Sequence, residues 1–219
     1  MKYSFTSTEN QYKPVVNSLK NAKDKLKLLE IGAGDKTLKK FLPQNIEYNS
    51  MDYQDKYYYF DKDKRHDYNF NLDDGKMPIK DNSYDIVVCL ETLEHTMYPE
   101  RVLLEIKRIA KPSALIFLSM PNDYNFVQRI YFLLGIKGKM DEAFMVVEKH
   151  LHIHKVRAKD ILSLFSKHFK ILEVHYLWQS RTSMYSRLVE MMDKFIALIA
   201  KIYPSLFARM VLVKAINQK

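Results

Sequence analysis

Three short stretches of this 219-residue chain carry groups able to do chemistry. In LLEIGAGDK, Leu28 to Lys36, a hydrophobic run reaches a carboxylate, Glu30, and turns through Gly32 and Gly34, where a missing side chain lets backbone approach a ligand closely. In ETLEH, Glu91, Glu94 and His95 stand at i, i+3 and i+4, a spacing that puts carboxylate and imidazole donors on one side of a helical turn and suits a divalent ion. In HLHIH, three histidines alternate. His150, or failing that His95, is the candidate general base, because imidazole exchanges its proton near neutral pH. His152 and His154 read as positions on a surface strand or lid, without a chemical role.

The elements that must position these groups follow from the apolar spacing. LKLLEI, IEYNSMD, HDYNFNL, YDIVVCL and SALIFLSM read as five successive strands. DKTLKKFL, ended by Pro43, reads as a helix after the first, and Pro99 to Lys111, apolar at Val102, Leu103, Ile106 and Ile109, as a helix before the fifth. Strands alternating with helices are the pattern of an α/β sheet with crossover connections. Beyond Pro121, the poor periodicity and mixed charge of residues 122–157 predict an inserted lid with a short helix near Phe126 to Leu134. Then come a helix, AKDILSLFSKHF, and a strand, KILEVHYLW. An amphipathic helix follows, with Met184, Leu188, Met191, Phe195, Ile199 and Ile202 on one face, expected to cover the sheet. The strand FARMVLVKAI closes the chain. No repeat or low-complexity linker interrupts it, so residues 1–219 read as one domain, with an N-terminal helix near 9–24 and the closing helix and strand near 183–217.

In open α/β sheets the first turn after a strand is the usual nucleotide loop. A dinucleotide fingerprint needs a third glycine where this chain has Thr37, and Asp35 would face a pyrophosphate unfavourably. A P-loop is excluded, since no Gly-Lys-[Ser/Thr] follows the turn. A carboxylate and two glycines suit a ligand that is cationic at one end and lacks phosphates, as S-adenosylmethionine is. Asp52 closes the second strand, where a carboxylate accepts both ribose hydroxyls. Asn71 and Leu72 follow the third, the place for a polar side chain and a backbone N–H on adenine. Glu91 ends the fourth, near the methionine moiety.

The arrangement LLEIGAG, MD, NLDD, MPIKDNSYDIVVCLETLEHT and PERVLLEIKRIAKPSALIFLSMPN resembles the class I S-adenosylmethionine-dependent methyltransferases, in particular their bacterial small-molecule branch. The resemblance covers about residues 15 to 178. It implies a Rossmann-like, mostly parallel seven-stranded sheet with an antiparallel last strand and helices on both faces. Lys36 departs from the pattern, standing where many members carry a third small residue. ETLEH is also similar to the E-x-x-E-H of metal-dependent O-methyltransferases, among them ubiquinone-biosynthesis enzymes and small-RNA ribose 2′-O-methylases. That similarity implies a Mg or Mn ion held by Glu91, Glu94, His95 and His150. In metal-free relatives the Glu-His pair caps and orients the loop instead.

The resemblance also narrows the acceptor. LETL replaces the [Asn/Asp]-Pro-Pro-[Tyr/Phe] of base-amine methylases, and Cys89 lies inside the apolar run YDIVVCL, as a buried thiol rather than a nucleophile. The expectation is O-methylation of a small molecule or glycan precursor; Tyr57, Tyr58, Tyr59 and Phe60 read first as a solvated loop with its aromatics folded onto the sheet, and in the alternative as a surface that stacks on a ring. RNA ribose methylation is the alternative, favoured by basic residues between Lys137 and Arg157, but 219 residues leave little room for an added RNA-binding module. A non-catalytic binding or membrane-surface role for the fold is a third reading. The net charge of +9 is mostly scattered lysine, an ordinary solvated surface. The tail from Arg181 has seven Lys or Arg against two acids, which makes peripheral membrane contact through the closing helix a further expectation. Without an apolar run long enough to span a bilayer, and without a secretory leader, the sequence reads as cytoplasmic.

Overall fold

Leu26–Ile31 forms β1, and its last four residues are buried, because a strand covered by helices on both faces must be apolar nearly throughout. A computed structural model of the chain describes residues 10–53, 65–136, 152–178 and 187–219. Within these, Ile46–Asp52 (β2), Tyr68–Asn69 (β3), Tyr84–Leu90 (β4) and Ala110–Pro121 (β5) run parallel to β1. Lys170–Leu177 (β6) and Met210–Ile216 (β7) complete a seven-stranded sheet in the order β3-β2-β1-β4-β5-β7-β6. β7 is antiparallel to both of its neighbours. The order reverses between β1 and β4, and ligands bind outside the carboxyl ends of strands at such a point.

Each face of the sheet has its own core. Lys13–Leu19 (α1) buries Val15, Val16 and Leu19 against Leu28, Ile86, Val88, Phe117 and Leu212. On the other face Pro99–Ile109 (α2) buries Val102, Leu103, Ile106 and Ile109, the four apolar positions expected from its spacing, beside Leu29, Val87 and Ile116. Each such side chain contributes roughly 1.5–3 kcal/mol on leaving water. Ala158–Ser166 (α4) adds Ile161 and Phe165 to this core. Cys89 is fully buried in β4, and desolvation raises its thiol far above the ordinary range.

Three expectations need correction. DKTLKKFL forms only a 3-10 turn, Thr37–Phe41, which buries Leu38 and Phe41. HDYNFNL pairs over two residues alone, because β2 ends at Asp52 and offers β3 only Met51 and Asp52. Phe126–Leu133 (α3) appears as expected, but the closing helix, Arg187–Ile202 (α5), packs with its small face inward. Ala200 is buried, whereas Met191, Phe195 and Ile202 of the face expected to cover the sheet are exposed. A short turn of helix, Pro204–Phe207 (α6), then leads into β7. Met184 lies outside the described residues.

Candidate functional site

The loop after β1 is shaped by backbone. Gly32 has φ +69°, and a Cβ there would stand 2.0 Å from Thr92 Oγ1 in the loop after β4, so only glycine fits. Its N–H and that of Ala33 both donate to Met51 O, at 2.9 and 3.1 Å. Gly34, at φ +46°, donates its N–H to Asp52 Oδ2 at 2.7 Å, and Tyr53 N–H donates to Oδ1 at 2.7 Å. The turn after β1 is thereby clamped to the end of β2. Lys36, the departure from the family pattern, has φ +56° and takes the left-handed conformation that glycine, having no Cβ, adopts at less cost. Its ammonium donates to Arg65 O.

Glu30 is buried, and Tyr48 Oη donates to its carboxylate. Burial pushes its carboxyl up to about 7, against the lowering effect of the Tyr48 hydrogen bond, and the negative charge of Asp52 adds to the rise. Burial likewise raises the Tyr48 phenol far above its ordinary range, reinforced by the neighbouring Glu30. A cation arriving beside Glu30 would favour its ionised form. After β3, Asn71 Oδ1 accepts from Asp73 N–H at 3.1 Å and caps a 3-10 turn, Leu72–Asp74. Asp73 Oδ1 in turn accepts from Met97 N–H at 2.8 Å, and Leu72 packs on the core. Glu30, Gly32, Gly34, Asp52, Asn71, Leu72 and Glu91 thus come together at or just beyond the carboxyl ends of four adjacent strands.

The loops after β4 and β5 form a second cluster, built from side chains. Glu91 has φ +51° and its N–H donates to Ser119 Oγ at 3.0 Å. It precedes the 3-10 turn Leu93–His95 and does not share a helical face with Glu94 and His95, as their spacing had predicted. Glu94 is buried, and His95 Nε2 lies 3.9 Å from its Oε1. Ile153 and His154 N–H both donate to Glu94 O, at 2.8 and 3.2 Å, and His154 Nε2–H donates to Thr96 O at 3.0 Å. These bonds bring His152 against His95, ring centroids 5.2 Å apart and edge to face. The buried carboxylate of Asp123 accepts from His152 Nδ1–H at 3.0 Å. Asp123 is held in place because Asn122 Nδ2 donates to Ser205 O in α6 at 3.2 Å and to Ala208 O, just after α6, at 2.8 Å. Donor atoms of Glu94, His95 and His152 lie within 4.8 Å of one another.

Among the described residues, the histidine brought against His95 is therefore His152, with Asp123 behind it. His150 and Tyr57 to Phe60 lie outside the described residues. The signal for His152 was present, since residues 150, 152 and 154 share one side of an extended chain. Which of them faces His95 is set by the two backbone bonds to Glu94 O, and residue types do not announce those bonds.

Residues 29–118 match the methyltransferase domain family. A ubiquinone biosynthesis O-methyltransferase from Photobacterium profundum is 25% identical over 103 residues, which are 46% of this chain and 42% of that protein, so the chain matches less than half the length of its curated relative. Among solved structures, an S-adenosylmethionine-dependent methyltransferase from Mesorhizobium loti matches with a TM-score of 0.62 at 14% identity, over 96% of this chain and all of that one. One from Archaeoglobus fulgidus matches at 0.56 and 15%, over 94% of each chain. The [4+2]-cyclase SpnF shares the fold at 0.59 and 13%, over 99% of this chain and 84% of its own, so fold alone does not name the reaction. Together the domain match and the sheet order show that residues 29–118 carry a methyltransferase domain, in a fold that the chain shares with S-adenosylmethionine-dependent methyltransferases.

Proposed function

We propose that this protein transfers the methyl group of S-adenosylmethionine to a hydroxyl of a small molecule or glycan precursor. The observation that carries the reading is the His152–Asp123 pair, set beside His95 at the carboxyl ends of β4 and β5. Methyl transfer is an in-line displacement: the acceptor oxygen forms a bond to the methyl carbon, the carbon–sulfur bond breaks, and the sulfonium leaves as a neutral thioether. The cofactor supplies the reactive carbon, and the protein supplies alignment and a place for the hydroxyl proton. With Nδ1–H donated to Asp123, His152 presents Nε2 as the acceptor of that proton, and the buried carboxylate stabilises the imidazolium that results. In this reading Glu30, Gly32, Gly34, Asp52, Asn71, Leu72 and Glu91 hold the cofactor. The name of the Photobacterium relative supports oxygen as the atom methylated.

A second reading is favoured by the clustering of Glu94, His95 and His152. One carboxylate and two imidazoles suit a divalent ion, and two nitrogen donors fit Mn better than Mg, which prefers oxygen. Such an ion would polarise the acceptor hydroxyl as a Lewis acid.

The test is transfer of labelled methyl from S-adenosylmethionine to a panel of phenols, catechols and sugars. With an acceptor in hand, His152→Ala should lower kcat roughly 10²–10⁴-fold while cofactor affinity stays within a few-fold. Full turnover by His152→Ala would refute the base. Full activity in excess chelator, together with no calorimetric binding of Mn, would refute the metal.

A further inference from the structure

The outward face of α5 is apolar where a solvated helix would be polar. Met191, Phe195, Leu198 and Ile202 recur at i, i+4, i+7 and i+11, a single stripe along the helix, and each is at least 60% exposed. Buried Ala200 lies on the opposite side, so the stripe faces away from the sheet. Lys194 and Lys201, both exposed, are seven residues apart, close to two full turns, and stand beside the stripe, in a helix that carries Arg187, Lys194 and Lys201 against Glu190 and Asp193. The exposed apolar surface continues near the end of α5. Tyr203 is exposed, and Phe207, four residues on, meets Phe126 at the start of α3 with ring centroids 5.2 Å apart. On α3 and just beyond it, Ile130, Phe132, Leu133 and Leu134 are exposed as well. This corner adjoins the end of β5, because Asn122 binds the carbonyls of Ser205 and Ala208 there, one residue before Asp123.

We propose that α5 docks this protein on an anionic bilayer surface, with the corresponding consequence, resting on the methyltransferase reading, that the acceptor is an amphiphile carried in that interface. An apolar stripe flanked by lysines is the composition of a helix that lies in the headgroup region, where the lysines meet anionic lipid. The chain as a whole carries +9, which adds long-range attraction to such a surface. No helix among the described residues is long and apolar enough to cross a membrane, which agrees with contact along the surface. The position of the patch beside the end of β5 would turn the His95–His152 cluster toward the lipid.

Co-sedimentation of the full chain with vesicles decides the matter. Vesicles containing phosphatidylglycerol should bind the protein, those of phosphatidylcholine alone should bind it at least tenfold more weakly, and added salt should weaken the binding. Phe195→Glu with Leu198→Glu should reduce it at least tenfold, and Lys194→Gln with Lys201→Gln by a smaller factor. Both variants change exposed positions and should keep wild-type affinity for S-adenosylmethionine in calorimetry, so failure of docking is read separately from failure of cofactor binding. Absence of vesicle binding, or equal binding by wild type and both variants, would overturn the proposal. So would a dimer in light scattering that Phe195→Glu with Leu198→Glu converts to a monomer, since the face would then belong to a second copy.

Discussion

The loops after β1 and β2 and the loops after β4 and β5 lie at the same edge of one sheet, yet they are built from different materials. The first pair is a backbone construction: Gly32 packed on Thr92, two N–H groups on Met51 O, and Gly34 clamped to Asp52. The second pair is a side-chain construction, in which Glu94, His95, Asp123 and His152 converge from segments far apart in the chain. A cradle of backbone admits few substitutions and serves one ligand. A cluster of side chains on loops can be changed residue by residue without disturbing the sheet, which is how one fold comes to serve many acceptors.

Lesions in the two regions should therefore separate affinity from turnover. The largest effect is expected from Gly32→Ala. The added Cβ collides with Thr92 at a positive φ, which should cost about 3 kcal/mol of stability and lower cofactor affinity at least 100-fold, read by thermal denaturation and calorimetry. On the other side, Asp123→Asn should lower kcat roughly 100-fold, because the amide no longer fixes the His152 tautomer, with cofactor affinity unchanged. A parallel loss of affinity would mean that the two regions are not separable.

Glu30 sharpens the comparison through pH. Its carboxyl stands at about 7 in the folded chain, against the 4.5 of an ordinary solvated glutamate, so between these values the folded state binds the extra proton. Stability should fall as pH rises from about 4.5 through about 7, by about 3 kcal/mol from this group, and Glu30→Gln should remove that slope in denaturant titrations. If Glu30 faces the cofactor's cation, affinity for S-adenosylmethionine should rise over the same interval. The smallest effect is that of Asp52→Ala, about tenfold in cofactor affinity, since the Gly34 clamp and the proposed ribose contact are lost together.

The sequence was most legible where burial left little choice. β1, β2 and β4 begin and end where the apolar runs do, and α2 buries the residues its spacing singled out. β3 was overread because its length depends on where β2 stops, which its own residues do not encode. In α5 the stripe was found and its direction was not: periodicity marks an apolar face without saying whether the sheet or something outside the chain covers it. Within the site, the need for Gly32 was visible because it is local and steric, a side chain there colliding with Thr92. The His152–Asp123 pair joins two loops across the sheet edge, and no spacing rule reaches that far.

Calorimetric titration of S-adenosylmethionine into the full chain near neutral pH, repeated with folded Gly32→Ala, tests the central claim that the turn after β1 holds the cofactor. The account predicts a single saturable site in the wild type and at least 100-fold weaker binding in the variant. No saturable heat in the wild type, or equal affinity in the two, would contradict it.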